Sequence, residues 1–279
     1  MARYSIAIDV SRCSGCGSCF LACKDEYIGN DYLPYSLAQP EQGHKWMDLK
    51  EIEQGENSKV KVNYIPLMCQ HCENPPCAKN APEGAVYTRE DGIVLFDPEK
   101  SKGCREIMEN CCYGVVFWNE KENIPQKCGM CAHMLDNGEK APRCVESCPS
   151  KALLFGDLDD PNSEISQYIA QRGDFAVLNP EYGANPSVVY RALPSPFITG
   201  EVILSDKMSE CCEGAKVVCE CSCGSKFETT TDFMGDFQFK HLKEGQDYTI
   251  TVSYPGYKDF TTIVTLDKAR DLGLIVLAK

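Results

Sequence analysis

CSGCGSCFLAC, at residues 13–23, spaces four cysteines as Cys-x2-Cys-x2-Cys-x3-Cys. This spacing is typical of iron–sulfur proteins, because the short gaps wrap three thiolates around one cubane cluster. In two-cluster ferredoxins, the fourth cysteine of such a run ligates the other cluster. The stretch therefore predicts a ferredoxin-like fold in which a second cysteine group completes the first.

The same register recurs three more times along the chain, with changes. The later groups are Cys69-x2-Cys72-x4-Cys77-x3-Ala81, Ser101-x2-Cys104-x2-Ile107-x3-Cys111 and Cys128-x2-Cys131-x12-Cys144-x3-Cys148. Proline follows the last position of the second and fourth groups. Ala81, Ser101 and Ile107 are therefore interpreted as ligand positions that no longer carry cysteine.

Two ways of pairing the groups differ in how many cysteines they use. Sequential pairing, one with two and three with four, leaves the first three cysteines without a fourth thiolate. Nested pairing, one with four and two with three, leaves only Cys104 unused and is favoured. It predicts three [4Fe–4S] clusters whose iron is bound by a first set of Cys13, Cys16, Cys19 and Cys148, a second set of Cys23, Cys128, Cys131 and Cys144, and a third set of Cys69, Cys72, Cys77 and Cys111. The remaining positions form a fourth set that cannot hold a cluster: Ala81, Ser101, Cys104 and Ile107.

Other uses of these cysteines are less favoured. Structural zinc also employs Cys-x2-Cys pairs, but twelve thiolates in ferredoxin register favour iron–sulfur clusters. Disulfides are disfavoured because no secretory signal is evident. Cys104 and Cys112 are expected to be inert thiols. His71, which lies between two cysteines of the third set, is expected to donate hydrogen bonds near a cluster rather than to ligate iron.

Composition argues against several other classes of protein. The chain has 279 residues, 43% hydrophobic and 25% charged, and 28 Lys and Arg against 41 Asp and Glu give a net charge of −13. So acidic a protein is not expected to bind nucleic acid or anionic lipid. No apolar run approaches the ~18 residues of a membrane span, and the first residues lack a signal-peptide core. A cytoplasmic location is expected, with export alongside a signal-bearing partner as the alternative.

The distribution of cysteines predicts the domain organisation. Fourteen of the 19 precede residue 150, and none lies in the proline-rich stretch from about residue 156 to 196. We expect an iron–sulfur domain over residues 1–155 with a polar insertion at 24–66, a connecting segment over 156–196, and a β-sandwich over 197–279. The fold class is α+β, with two nested bis-cluster modules of ferredoxin type followed by an all-β sandwich.

Apolar and alternating runs locate the expected strands. In the N-terminal part these are residues 4–9 and 93–97, and residues 86–95 are expected to form a hairpin through Asp91-Gly92. In the C-terminal part the strand-like runs are residues 200–204, 215–218, 237–239, 248–252, 260–265 and 274–277.

The four cysteine groups resemble those of the iron–sulfur subunits in the dimethyl sulfoxide reductase family of molybdopterin oxidoreductases. Within that family, the chain is most similar to the small subunits of pyrogallol–phloroglucinol transhydroxylases and catechol dehydroxylases. The segments that carry the resemblance are GHKWM at 43–47, CQHCEN at 69–74, YTREDGIVL at 87–95, QKCGMCAH at 126–133 and DLG at 271–273. The similarity runs over almost the whole chain.

The resemblance implies a large catalytic partner that carries molybdenum or tungsten in a molybdopterin cofactor, while this chain only transfers electrons. The sequence agrees, since it has no glycine-rich phosphate loop, no Ser/His/Asp group and no paired carboxylates placed for acid–base catalysis. A heterodimer or higher oligomer is expected, with a soluble electron carrier as an additional candidate partner. The expected reaction of the complex is hydroxyl transfer between phenols, and reductive dehydroxylation of catechols is the alternative.

The segment from residue 197 resembles carboxypeptidase-regulatory and transthyretin-like domains, on motifs such as Gly200-x-Val202 and Gly245-x2-Tyr248-Thr249. Such domains often mediate contacts, so an assembly module with structural metal sites is an alternative function of a different class. The segment has five cysteines, interpreted as reduced thiols without a function or, alternatively, as metal ligands: Cys211, Cys212, Cys219, Cys221 and Cys223.

Overall fold

The computed structural model describes residues 2–57 and 59–279. The chain divides into two units: residues 2–51 and 64–193 form the first, and residues 52–57, 59–63 and 194–279 form the second. All four cysteine groups therefore lie in the first unit. None of the helices in the described part of the chain has the length and apolar character that crossing a membrane requires.

Short strands and helices around cysteine-bearing loops make up the first unit. Its helices are α1 (Ser18–Tyr27), α2 (Glu106–Glu109), α3 (Ala132–Asp136), α4 (Arg143–Glu146) and α5 (Glu164–Arg172). Its strands, of which β2 and β3 are shared with the second unit, are β1 (Tyr4–Asp9), β2 (Met47–Glu56), β3 (Lys59–Met68), β4 (Val86–Thr88), β5 (Val94–Phe96), β6 (Phe117–Asn119), β7 (Ile124–Gln126), β8 (Leu153–Asp157), β9 (Ala176–Val177) and β10 (Val189–Arg191).

Strand β1 is buried because each of its two faces packs against a different group of apolar side chains. It lies between β8, which is antiparallel to it, and β10, which is parallel. Ile6 and Ile8 belong to the same buried core as Cys19 of the first set and all four cysteines of the second set, whereas Ala7 packs with Leu154 and Ile165. The predicted strand at residues 4–9 is confirmed, as is the hairpin of β4 and β5.

The stretch 156–196, expected to be a connecting segment, is folded into the first unit as far as Leu193. It carries helix α5 and strands β9 and β10. Ser163 caps the start of α5 by accepting a hydrogen bond from Ser166 N, and Ile165 of α5 is completely buried against the sheet. The stretch folds because its few apolar residues lie on one helical face and in one strand, despite its prolines.

The expected polar insertion at 24–66 contains ordered structure as well. Helix α1 continues to Tyr27, which packs against Trp46 with ring centroids 4.7 Å apart. A two-stranded hairpin of β2 and β3 occupies the end of the insertion. Most side chains along β2 are exposed or half-buried, so the hairpin leaves little apolar signal in the sequence.

The second unit is a β-sandwich. Its strands are β11 (Ile198–Leu204), β12 (Lys207–Cys211), β13 (Lys216–Cys221), β14 (Lys226–Thr230), β15 (Asp236–Phe239), β16 (Asp247–Ser253), β17 (Phe260–Thr265) and β18 (Arg270–Leu277). In one sheet β11 pairs with β12, β15 and β18, and the other sheet has the order β14-β13-β16-β17. Residues such as Val202, Val217 and Ile250 from both sheets share one hydrophobic core.

Candidate iron–sulfur centres

The first set begins in the loop between β1 and α1. Gly15 has φ 72°, and a Cβ there would lie 2.6 Å from the Tyr64 ring, so the position requires glycine. The chain can therefore turn tightly between Cys13 and Cys16. Cys16 is exposed, whereas Cys19, in the first turn of α1, is buried.

Helix α1 brings its two cysteines to two different sets. Cys19 and Cys23 lie one helical turn apart, and both are buried. Burial, together with the nearby thiols of the first set including Cys148, raises the pKa of Cys19 to about 11. Burial also raises the pKa of Cys23 well above its usual value, and there the added rise comes from Cys128 and Cys131.

Helix α4 packs against α1. The cysteine on α4 and the one that follows the helix also lie near two different sets. Burial raises the pKa of Cys144 well above its usual value, and the second-set thiols contribute most of the added rise. Cys148, two residues beyond the end of α4, instead contributes to the raised pKa of Cys13, after burial. Helix α1, and helix α4 together with the turn that follows it, therefore each bring one cysteine close to the first set and one close to the second.

The third set is arranged around one cavity. Cys77 lies in a 3-10 turn, Pro76–Ala78, that packs against α2, and Cys111 follows α2 in the sequence. Burial, followed by the neighbouring third-set thiols, raises the pKa of Cys72 and of Cys77 to about 12. All four cysteines of the set line this cavity.

The internal repeat is visible in the backbone. His71 and Met130 both have left-handed φ values, 44° and 53°. The N–H of His71 donates to Cys69 Sγ at 3.5 Å, and the N–H of Met130 donates to Cys128 Sγ at 3.3 Å. The second and fourth groups therefore share one turn, in which a backbone donor stabilises negative charge on sulfur.

Two electrostatic interactions between thiols link neighbouring sets. The thiol of Cys19 contributes to the raised pKa of Cys144, so the first and second sets are neighbours. The thiol of Cys69 contributes to the raised pKa of Cys128, so the second and third sets are neighbours. The second set consequently lies between the other two.

His71 is a buried donor beside the third set. Its Nδ1 accepts a hydrogen bond from Val94 N–H at 3.1 Å, which assigns the ring proton of the neutral imidazole to Nε2. Burial lowers the pKa of His71 well below its usual value, which favours that neutral form. Nε2 is buried and has no hydrogen-bond partner among the described residues. A buried donor of this kind requires an acceptor, and the sulfur atoms of a cluster would supply one.

The chemistry of the three donor sets fits iron–sulfur clusters. In each set, neighbouring thiols add to the rise that burial causes in the pKa of at least one cysteine, namely Cys13, Cys144 and Cys72, because nearby thiolates repel each other. Iron cations would remove this penalty, since a coordinating metal stabilises the deprotonated thiol. The first, second and third sets would therefore hold the clusters, which supply reversible one-electron chemistry when bound.

The fourth set is an apolar core instead of a metal site. Ile107 is completely buried and packs with Cys77, Phe96 and Val116. Ala81 and Cys104 pack against the edge of this group of apolar side chains. Two of the four positions thus offer only hydrocarbon, and this set does not fit an iron–sulfur cluster.

The remaining cysteines differ in their environments. Cys112 is exposed, but its thiol contributes to the raised pKa of Cys72 and so lies near the third set. In the sandwich, Cys219 is a buried free thiol, whereas Cys221 and Cys223 form a disulfide. The interpretation of all five sandwich cysteines as reduced thiols is therefore wrong for these two. The turn after β13 brings their Cα atoms within 5.0 Å, which is inside the range that a disulfide spans.

Two protein-family models match this protein. The 4Fe-4S dicluster domain matches residues 60–158, which contain the second, third and fourth cysteine groups. The carboxypeptidase regulatory-like domain matches residues 198–277, which form the sandwich. The expected combination of an iron–sulfur domain and a regulatory-like sandwich in an α+β chain is confirmed.

Similar proteins extend this result over the whole chain. The pyrogallol hydroxytransferase small subunit of Pelobacter acidigallici is 39% identical over 99% of this chain and 100% of its own length. The iron–sulfur subunit of the arsenate respiratory reductase of a Shewanella species is 31% identical over 67% of this chain and 95% of its own length. One component of the anaerobic dimethyl sulfoxide reductase of Escherichia coli is 33% identical over 71% of this chain and 93% of its own length.

This protein belongs to the iron–sulfur subunits of the dimethyl sulfoxide reductase family. Members of this family transfer electrons within molybdopterin oxidoreductases and do not themselves catalyse the reaction. The family resemblance carried by the cysteine groups is therefore confirmed.

Sequence reasoning missed one residue beside the sets. Lys127 precedes Cys128, and its side chain lines the cavity of the third set. Its exposure is only 5%, which is rare for a lysine. The QKC segment contains the residue, but no periodicity or spacing in the sequence indicates that its side chain is buried.

Proposed function

We propose that this chain holds three [4Fe–4S] clusters in its first, second and third sets and conducts electrons along them for a molybdopterin-dependent catalytic subunit. The observation that carries the proposal is that cysteines of all three sets, including Cys19, Cys128 and Cys69, lie in one buried core. Closely spaced clusters in one row allow stepwise electron transfer. The chain's own residues exclude water from the row and hold the thiolates in place.

The first and third sets differ in exposure, and this difference supports an assignment of the end of the row that faces the catalytic subunit. Cys16 of the first set is exposed, and Leu21, nearby on α1, is 63% exposed. Three cysteines of the third set are buried, and the fourth set beyond them is filled by Ile107. We therefore assign the first set to the side of the catalytic subunit, which would supply the molybdenum or tungsten cofactor.

We further propose that the complex transfers a hydroxyl group between phenols. The full-length similarity to a pyrogallol hydroxytransferase small subunit supports this reaction over those of the two relatives that match 67% and 71% of this chain. The apolar fourth set supports it too, because a row that ends at the third set suits a reaction with no net electron flow. In such a transfer one phenol loses the hydroxyl that the other gains, so no external electrons are consumed.

We predict twelve irons and twelve sulfides per chain, as three [4Fe–4S] clusters. The measurement is iron and acid-labile sulfide analysis of the anaerobically purified complex, with zinc determined in the same samples. The sandwich alone, residues 197–279, serves as the control and should bind no iron. Sixteen irons, or stoichiometric zinc, would contradict the assignment of the sets.

We predict that the complex turns over anaerobically with a phenolic substrate and its hydroxyl-donating cosubstrate, and without a reductant. The reason is that hydroxyl transfer is redox-neutral overall, so the clusters only poise the metal of the partner. Product formation is measured by chromatography, and parallel samples receive a stoichiometric electron donor. A strict requirement for the donor would reject transhydroxylation and establish reductive dehydroxylation, while leaving the electron-transfer role in place.

A further inference from the structure

Lys127 places a positive charge between the second and third sets. Its backbone lies next to Cys128 of the second set, while its side chain lines the third-set cavity. Nζ donates to the carbonyl oxygen of Val94 at 2.5 Å and to that of Cys128 at 3.1 Å, and it lies 4.8 Å from the centre of the Phe96 ring. These partners hold the ammonium in one position without neutralising it, because neither carbonyl carries a full charge.

The charge of Lys127 acts on thiols of both neighbouring sets. The Lys127 side chain lines the same cavity as Cys69, Cys72, Cys77 and Cys111 of the third set, and its backbone adjoins Cys128 of the second set. A charge in a buried site is screened far less than one in water, so it influences any redox group nearby. A cluster that gains an electron becomes more negative, and a nearby fixed cation stabilises the reduced form.

We propose that Lys127 raises the reduction potential of the third cluster, so that electrons in the row are held at the third set. This inference rests on the proposed function. The side chain lines the third-set cavity directly, and the apolar fourth set provides no further site beyond it. The third set would then store an electron near the end of the row.

The test compares Lys127→Met with Lys79→Met in the intact complex. Lys79 lies two residues from Cys77 of the third set, but its side chain is exposed. The control therefore removes the same formal charge from a position in water. Redox titration followed by electron paramagnetic resonance measures the midpoint potential of each cluster. Lys127→Met should lower the midpoint potential of the third cluster by at least about 59 mV, which is a tenfold shift toward the oxidised form for a one-electron couple. Lys79→Met should shift it less than a third as far, and the first cluster should not change in either variant.

Two further measurements make the outcome decisive. Lys127→Arg keeps the charge and should retain the potential of the third cluster, whereas Lys127→Gln should behave like Lys127→Met. The signal that Cys77→Ser abolishes should be the one whose midpoint potential falls in Lys127→Met. Unchanged potentials in Lys127→Met and Lys127→Gln, with twelve irons bound, would overturn this inference and leave the proposed function intact. Fewer than three clusters in the unaltered complex would overturn the proposed function itself.

Discussion

Replacing Cys148 with serine should remove the cluster of the first set and leave the cluster of the second set in place. Cys148 lies only four residues from Cys144 in the sequence, yet its thiol acts on Cys13 and Cys19. Cys144, by contrast, responds mainly to second-set thiols. A serine hydroxyl is a much poorer ligand for iron than a thiolate, because it stays protonated near neutral pH.

The expected change is a fall from about twelve irons to about eight per chain. The electron paramagnetic resonance signals of one cluster should disappear as well. Cys144→Ser is the matched control, because it should remove the second cluster by the same chemistry at a position only four residues away. The two variants should therefore lose different signals while losing equal amounts of iron. If Cys148→Ser abolishes the signal that is expected to disappear in Cys144→Ser, the crossover between the first and fourth groups is wrong.

The grouping of the cysteines could be predicted from spacing because local geometry decides it. Cys19 and Cys23 are four residues apart, so a helix presents them one turn apart on the same side, and Cys144 and Cys148 repeat this spacing. The internal repeat then restricts the pairing, since a helix with two ligands must serve two clusters. No long-range information is needed for this step.

Elements whose sequences carry little apolar signal could not be predicted. Strands β12 and β14 of the sandwich are almost entirely exposed and are not among the expected strands. The six expected runs all overlap strands, and five of them contain buried side chains. The same cause hides strand β2, whereas β3 ends in a partly buried apolar run that is not among the expected strands. In these strands backbone pairing with a neighbour, and not side-chain burial, stabilises the extended chain.

The polar groups around the sets depend on tertiary structure. Lys127 is buried only because β5 presents the carbonyl of Val94 to its ammonium. His71 is held as a donor by the N–H of the same residue. Val94 is 33 residues from Lys127 and 23 from His71 along the sequence, so neither contact has a signature in sequence spacing.

Replacing Ile107 with alanine should destabilise the first unit without removing iron. Ile107 occupies a ligand position of the repeat, but its side chain is completely buried among Cys77, Phe96 and Val116. Removing three carbon atoms from such a site costs about 2–5 kcal/mol in the free energy of unfolding, because a cavity remains. For a unit of this size, this corresponds to a fall of roughly 5–15 °C in the unfolding midpoint.

Cys104→Ala is the matched control, because Cys104 belongs to the same fourth set but is only half-buried. Its cost should stay below about 1 kcal/mol, and its iron content should match that of the unaltered protein. Thermal unfolding of the anaerobic complex, together with iron analysis, measures both effects. Loss of four irons in Cys104→Ala would mean that the fourth set takes part in cluster binding. Equal stability of Ile107→Ala and the unaltered protein would mean that Ile107 is not the packing residue that replaces a cluster, and the row would then lack a structural reason to end at the third set.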